Sequence, residues 1–171
     1  AWAAGSDAPE KKTVKIGFIP LTDCAPIIVA AKMGFDVKHG IKIQASKEAS
    51  WATVRDKLVN GELDASHALY GMMYGLHLGV GGPKKEMAVL MTLNNNGQAI
   101  TLSNQLLAKG VKDGASLKKF IDAEKRDYVF AQTFPTGTHA MWLNYWLAAN
   151  GINPLKDVKT IVIPPPQMVA N

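Results

Sequence analysis

A Pro-Thr-Gly-Thr-His motif at residues 135–139 combines small residues, hydroxyl groups and one imidazole. It lies between a strand-like apolar run at 128–131 and a helical pattern at 141–149, where a helix begins. The first N–H groups of a helix have no intrahelical partner and carry partial positive charge, which suits a small anion. The motif therefore predicts an anion-binding site, with candidate contacts at Gly137, Thr138 and His139.

Charge and composition limit the kinds of ligand. The 171-residue chain has a net charge of +5, but its lysines are scattered in pairs rather than gathered in a long basic run. Nucleic-acid binding is therefore not predicted. A mild positive charge instead favours encounter with small anions. The apolar content of 47% is enough for a packed core, which excludes a disordered chain.

The compartment is predicted from the first residues. Residues 1–12 are small and polar around Trp2, and they resemble what remains after an export signal is removed. We therefore expect a flexible tail at 1–12 that remains after an export signal is removed; a flexible or appended tail unrelated to export is the alternative. Cys24, the single cysteine, cannot form an internal disulfide, and no apolar run approaches the roughly 20 residues needed to span a bilayer.

Strand-like and helical patterns alternate along the chain, which predicts an α/β fold with mostly parallel sheets flanked by helices. A helix is expected from Ser50 to Gly61, and another begins near Thr136. The predicted strands are 14–19, 41–44, 87–93, 98–102, 128–131 and 158–163. The other predicted helices are 25–32, 69–76 and one that begins at Ser116.

Four loops follow predicted strands, at 20–24, 47–51, 94–98 and 134–139. Ligands of open α/β sheets bind beyond the carboxyl ends of the strands, so we expect these loops to form the site.

Five sequence blocks, taken in order, resemble the nitrate-binding receptors of nitrate/sulfonate/bicarbonate ABC transporters. The blocks are 14–26, 46–51, 55–64, 91–98 and 164–171. The resemblance implies a type II periplasmic-binding-protein-like fold, in which the ligand lies between two lobes. Members are about twice as long as this chain, so the resemblance implies an amino-terminal portion. An incomplete first lobe would span 13–104, and part of the second lobe would span 105–171.

The resemblance also implies which side chains bind the anion, namely Trp51, Gln98 and His139. Nitrate is planar and only accepts hydrogen bonds, so indole, carboxamide and imidazole N–H groups suit it. Related bicarbonate receptors carry a carboxylate where His139 falls, so a histidine there favours nitrate or nitrite. Thr138 and Gly137 complete the expected set, and Thr22, Asp23 and Gly97 are weaker candidates.

Each candidate also has a plainer interpretation. Trp51 could be a core or staple residue, and Gln98 could satisfy backbone groups. Thr138 could be an ordinary helix cap and His139 a surface residue, and Asp23 is expected to cap the following helix rather than bind an anion. His67 and His77 are expected at the edge of the core rather than in a zinc site, and three methionines are expected in the core: Met72, Met73 and Met91.

The sequence therefore predicts a periplasmic receptor that closes on nitrate or nitrite and delivers it to an ABC transporter permease, its only link to the membrane. No cofactor, metal or catalytic residue is expected. A cytoplasmic nitrate sensor of the same fold is the nearest alternative. A cofactor-biosynthesis enzyme using Cys24 and His139 is a further one. We also expect the 171-residue chain alone to bind nitrate weakly and to self-associate through uncovered apolar surface.

Overall fold

The computed structural model describes residues 8–124 and 126–170. Its strands are β1 (Thr13–Phe18), β2 (Lys42–Lys47), β3 (Ala65–Ser66), β4 (Val129–Gln132) and β5 (Lys159–Val162). Its helices are α1 (Ala25–Lys32), α2 (Phe35–Lys38), α3 (Trp51–Asn60), α4 (Tyr70–Leu78), α5 (Asn104–Ala108), α6 (Gly114–Glu124), α7 (Thr138–Ala149) and α8 (Pro165–Ala170). Of the predicted tail at 1–12, residues 1–7, including Trp2, lie outside the described residues. The carbonyl of Lys12 accepts a hydrogen bond of 2.7 Å from Lys42 N.

The chain forms two compact units, each assembled from two stretches. The first unit contains residues 1–68 and 88–95, and the second contains residues 69–87 and 96–171. The two units are defined by contacts between residues of this chain. They do not test the lobe bounds that the family resemblance implies, so the lobes expected at 13–104 and 105–171 stay a prediction.

The first unit is built on a parallel sheet with strand order β2-β1-β3. Thr13 of β1 pairs with Lys42 of β2, and Ile16 pairs with Ala65 of β3. Helix α3 follows β2 with the predicted bounds. The Ser50 side chain accepts a hydrogen bond from Thr53 N, and Gly61 ends the helix with a φ of 76°. The sequence signals for both helix ends are confirmed.

The second unit has its own core between a two-stranded parallel sheet, β4-β5, and helices α6 and α7. Leu117 and Ile121 of α6 are buried in this core, and Phe120 packs against it in part. The buried core consists of Val111, Leu117, Ile121, Tyr128, Leu143, Leu147, Ile152 and Val158. Every described strand pair is parallel, as the alternation of strands and helices predicted.

The predicted strands at 87–93 and 98–102 are wrong. The structure describes residues 83–103 in full and assigns them neither helix nor strand. Leu90 is 84% exposed and Met91 is 67% exposed, so Met91 is not a core residue, whereas Met72 and Met73 are buried as predicted. An apolar run becomes a strand only where a neighbouring strand satisfies its backbone groups, and within the described chain no strand pairs with this segment.

The buried carboxylate of Asp36 connects α2 to β2, because it accepts hydrogen bonds from Val37 N at 2.8 Å and Ile43 N at 2.7 Å. These bonds favour the charged form. The bond from Ile43 has the largest effect, and the pKa of Asp36 lies below its ordinary value.

A folded-state pKa below the unfolded one stabilises the protein at pH values above the unfolded pKa of about 4. That stabilisation is lost as the pH falls through the folded pKa. We expect Asp36→Asn to unfold at lower urea concentration than the parent chain at pH 7, and the difference to shrink toward pH 2. Urea titrations monitored by circular dichroism from pH 2 to pH 7 measure this. Asp56→Asn, at an exposed position, is the control; parallel pH profiles for Asp36→Asn and the parent chain would contradict the expectation.

Candidate functional site

Trp51 is the first residue of α3 and follows β2 at the carboxyl end of the sheet. Its side chain is 1% exposed, which agrees with a core residue. Its indole Nε1 is nevertheless buried without a hydrogen-bond partner among residues 8–124 and 126–170. A buried donor left unpaired costs about 1–3 kcal/mol, so this N–H is a candidate contact for an acceptor that is not part of the chain.

The loop before Trp51 is fixed by the buried carboxylate of Glu48. This carboxylate accepts a hydrogen bond of 2.9 Å from Ser46 Oγ, and Lys57 Nζ of α3 lies 2.8 Å from it. The hydrogen bond to Glu48 raises the pKa of Lys57. The start of α3, and with it the Trp51 ring, is therefore tied to the end of β2.

Asp23 lies in a 3-10 turn, Thr22–Cys24, that follows β1. The prediction that Asp23 caps α1 is wrong, since α1 has no side-chain cap in the described part of the chain. Its Oδ1 instead lies 3.0 Å from His67 Nε2, and its Oδ2 accepts a hydrogen bond of 3.1 Å from Asn94 Nδ2. The Asp23 carboxylate therefore contacts side chains of the same unit and does not bind the first backbone N–H groups of α1. Thr22 is exposed.

His67 directly follows β3 and is 2% exposed, so it is more deeply buried than the core-edge position predicted for it. Its backbone N donates to the carbonyl of Gly17 at 2.9 Å. The ring meets the Trp51 ring edge-on, with centroids 5.1 Å apart and an interplanar angle of 64°. We call Asp23, Trp51 and His67 the Trp51 cluster. His77, in contrast, is exposed.

The Trp51 cluster contains a residue that the sequence analysis did not assign to the site. His67 follows a strand of two residues, Ala65–Ser66, which is too short to produce an alternating pattern. The only signal was a histidine among apolar residues after Asp64.

In the second unit, the predicted motif lies at the start of α7. Gly137 is buried and is the N-cap, with φ −75° and ψ 160°. Thr138 is not a cap, because its Oγ1 accepts a hydrogen bond of 3.2 Å from Gly71 N of α4. His139 is half-buried rather than fully exposed, and its Nδ1 lies 3.2 Å from Thr133 Oγ1. The first backbone N–H groups of α7 point out of the helix, as at any helix N-terminus.

Helix α4 packs closely against this loop through a glycine. A Cβ added to Gly71 would lie 2.5 Å from the carbonyl oxygen of Thr136 and 2.8 Å from both Gly137 C and Thr138 N. All three atoms belong to the backbone, so they cannot move aside by a side-chain rotation. Because position 71 has no side chain, α4 can approach the start of α7 this closely.

Gln98 and Gly97 lie in the irregular segment 83–103, and both are exposed. Gly97 has a φ of 77°, in the left-handed region that favours glycine. The loop at 94–98 does not follow a strand, contrary to our expectation. Of the three principal candidates, Trp51 belongs to the first unit, and Gln98 and His139 belong to the second. Their convergence on one ligand stays a prediction.

Cys24, the thiol of the enzyme alternative, is buried, and a nucleophilic thiol needs access to its substrate. A cavity of about 370 Å³ in the second unit is lined by residues within 103–109 and 126–129, none of which is a predicted contact. In residues 8–124 and 126–170, no three His, Cys, Asp or Glu side chains are grouped as a metal site. No described helix combines the length and apolar character needed to cross a membrane.

Comparison with known proteins identifies close relatives. The chain is 46% identical to the nitrate/nitrite binding protein NrtA of Synechocystis sp., over 98% of this chain and 39% of the relative. It is 34% identical to the bicarbonate-binding protein CmpA of Synechococcus elongatus, over 99% of this chain and 40% of the relative. The crystal structure of periplasmic NrtA from Synechocystis matches 96% of this chain and 45% of its own length, with a TM-score of 0.87.

These matches confirm the predicted resemblance and the α/β periplasmic-binding-protein fold. The chain spans about two fifths of the length of the curated relatives that it matches. The model of the NMT1-like family matches residues 7–171. The chain therefore belongs to the NMT1-like family.

Proposed function

We propose that the chain contributes the nitrate- or nitrite-binding site of a solute receptor that serves an ABC transporter. The observation that carries this proposal is the buried, unpaired indole N–H of Trp51 at the carboxyl end of a parallel sheet. Similarity to NrtA, at 46%, is greater than similarity to CmpA, at 34%, which supports nitrate over bicarbonate.

The proposed contacts suit an ion that only accepts hydrogen bonds. Trp51 offers an indole N–H, Gln98 offers an amide, and His139 offers an imidazole whose orientation Thr133 fixes at Nδ1. The amides that begin α7, after Gly137 and at Thr138, add partial positive charge. Simple binding needs no turnover, so these residues have no catalytic role in the proposal.

His139 is proposed to decide between nitrate and bicarbonate. In His139→Glu, a carboxylate would repel nitrate and could accept a hydrogen bond from the hydroxyl of bicarbonate. We expect nitrate affinity to fall at least about 10-fold and bicarbonate affinity to rise, because a charge-assisted hydrogen bond is worth about 1.5–3 kcal/mol.

Calorimetry with nitrate, nitrite and bicarbonate, on the full-length product of the gene that encodes this chain, measures both changes. His77→Glu introduces the same charge at an exposed position and should leave all three affinities unchanged. Unaltered selectivity in His139→Glu would refute the role of this histidine. A wild-type protein that binds neither nitrate nor nitrite would refute the function itself.

The proposed receptor works in the periplasm and delivers its anion to a membrane permease. The crystal structure that matches at a TM-score of 0.87 is that of a periplasmic nitrate-binding protein, which supports this location. Self-association is proposed because the large side chains Trp142 and Tyr145 of α7 are exposed. The alternative, a cytoplasmic nitrate sensor, is tested by the gene: an export signal encoded before Ala1 would exclude it.

A further inference from the structure

Three of the four buried side-chain polar atoms that lack hydrogen-bond partners in the described chain lie in the Trp51 cluster. They are Asp23 Oδ1, Trp51 Nε1 and His67 Nδ1. The fourth, Gln132 Oε1, lies in the other unit. Asp23 Oδ1 faces His67 Nε2 at 3.0 Å, so Trp51 Nε1 and His67 Nδ1 are the two atoms that no described group faces. Buried polar groups normally find partners, so these two nitrogens in a single cluster indicate that a polar ligand completes it.

The three side chains also share one edge of the sheet. Asp23 follows β1, Trp51 follows β2 and His67 follows β3, and these are the three neighbouring strands of a parallel sheet with order β2-β1-β3. The carboxyl ends of parallel strands meet at the same edge, where ligands of α/β proteins bind. The topology therefore brings the three loops to one place, independently of any resemblance to other proteins.

The orientation of the His67 ring leaves one nitrogen for a ligand. Nε2 faces the Asp23 carboxylate at 3.0 Å, although the contact lacks the alignment of a hydrogen bond, and Asn94 holds the other carboxylate oxygen. A carboxylate at Nε2 favours a hydrogen on that nitrogen. Nδ1 is then the atom without a partner, on a ring in edge contact with Trp51.

We propose that His67 is a further anion-contacting residue, which donates Nδ1–H to the same small oxyanion that accepts from Trp51 Nε1. Asp23 is a positioning residue: it fixes the ring and balances the positive charge of an imidazolium. This inference rests on the proposed function, and it names a contact that the resemblance does not supply.

The proposal requires a hydrogen on both ring nitrogens of His67. Nitrate carries no hydrogen, so His67 can donate from Nδ1 while facing Asp23 at Nε2 only when both nitrogens are protonated. Among the charged groups with described contacts to His67, Asp23 is the one that faces its ring.

The test is nitrate calorimetry on the full-length gene product. His67→Phe keeps an aromatic ring against Trp51 and removes both nitrogens. We expect its nitrate affinity to fall about 10-fold to 100-fold, as for the loss of a charge-assisted hydrogen bond. His77→Phe, an exposed histidine changed in the same way, should behave as wild type.

Asp23→Asn provides a second variant in case His67→Phe fails to fold. It keeps the shape of a partly exposed side chain and removes only the charge. We expect weaker nitrate binding. Wild-type nitrate affinity in either folded variant would overturn the role of His67 while leaving the proposed function intact. A wild-type protein that does not bind nitrate would instead remove the proposed function.

Discussion

Trp51→Phe is expected to bind nitrate about 10 to 100 times more weakly than wild type while keeping the fold of the first unit. The substitution keeps an aromatic ring in the buried position at the start of α3 and removes the indole N–H, which has no partner among the described residues. A hydrogen bond to a charged group contributes about 1.5–3 kcal/mol, which gives this range of affinity. The smaller ring should lower the free energy of unfolding by only about 1–2 kcal/mol.

Calorimetry with nitrate and urea unfolding of the same preparation separate binding from packing. Trp146→Phe is the matched control, since Trp146 is partly buried against the core of the second unit and is not a proposed contact. It should lose similar stability and no nitrate affinity. Nitrate binding by Trp51→Phe as tight as that of the wild type would show that the indole N–H is not a ligand contact.

Gly71→Ala is expected to lower the free energy of unfolding by about 1–3 kcal/mol, although a glycine-to-alanine change inside a helix normally stabilises it by about 0.5–1 kcal/mol. The reversal follows from the contact with the backbone of Thr136, which a new Cβ would approach to 2.5 Å. To relieve the overlap, α4 and the start of α7 must separate, and the hydrogen bond from Gly71 N to Thr138 Oγ1 must lengthen. Nitrate affinity should therefore fall as well.

Gly61→Ala is the control that separates the steric overlap at Gly71 from the cost of backbone strain. A Cβ at Gly61 has no atom of the described chain within 4 Å, but the φ of +76° is unfavourable for alanine, so a loss of about 1 kcal/mol with unchanged nitrate binding is expected. Urea unfolding and nitrate calorimetry on both variants make the comparison. A Gly71→Ala protein as stable as wild type would mean that the close approach of α4 does not constrain the start of α7.

The elements that the sequence predicts correctly carry their signals locally. The bounds of α3 follow from a serine that caps its first turn and a glycine that ends it in the left-handed region. Helix α7 likewise begins within two residues of the predicted Thr136. The segment 83–103 was mispredicted because its apolar pattern says nothing about whether a partner strand is present. Helix α8 was missed because a run of prolines suggests a stop, whereas proline is well tolerated in a first helical turn.

The candidate site also has a part that the sequence predicts and a part that only the folded chain shows. Trp51, Thr138 and His139 are placed by helix starts, so their positions at the beginning of α3 and α7 could be predicted. The partners of these residues could not. Gly71 is distant in sequence from Thr138, and Asp23 is distant from His67, so only the folded chain shows that each pair is in contact. A short strand such as β3 has no periodic pattern of its own, and the place of His67 depends on it.

The order β2-β1-β3 puts the strand that precedes the other two along the chain in the middle of the sheet. During translation, β1 leaves the ribosome with both edges unpaired. It gains its first neighbour when Lys42–Lys47 has emerged, and its second only when Ala65–Ser66 follows. Until then its backbone is open to pairing with other nascent chains. Recombinant production should therefore give more native protein at low temperature and slow expression, because the concentration of competing nascent chains is then low while β1 is still unpaired.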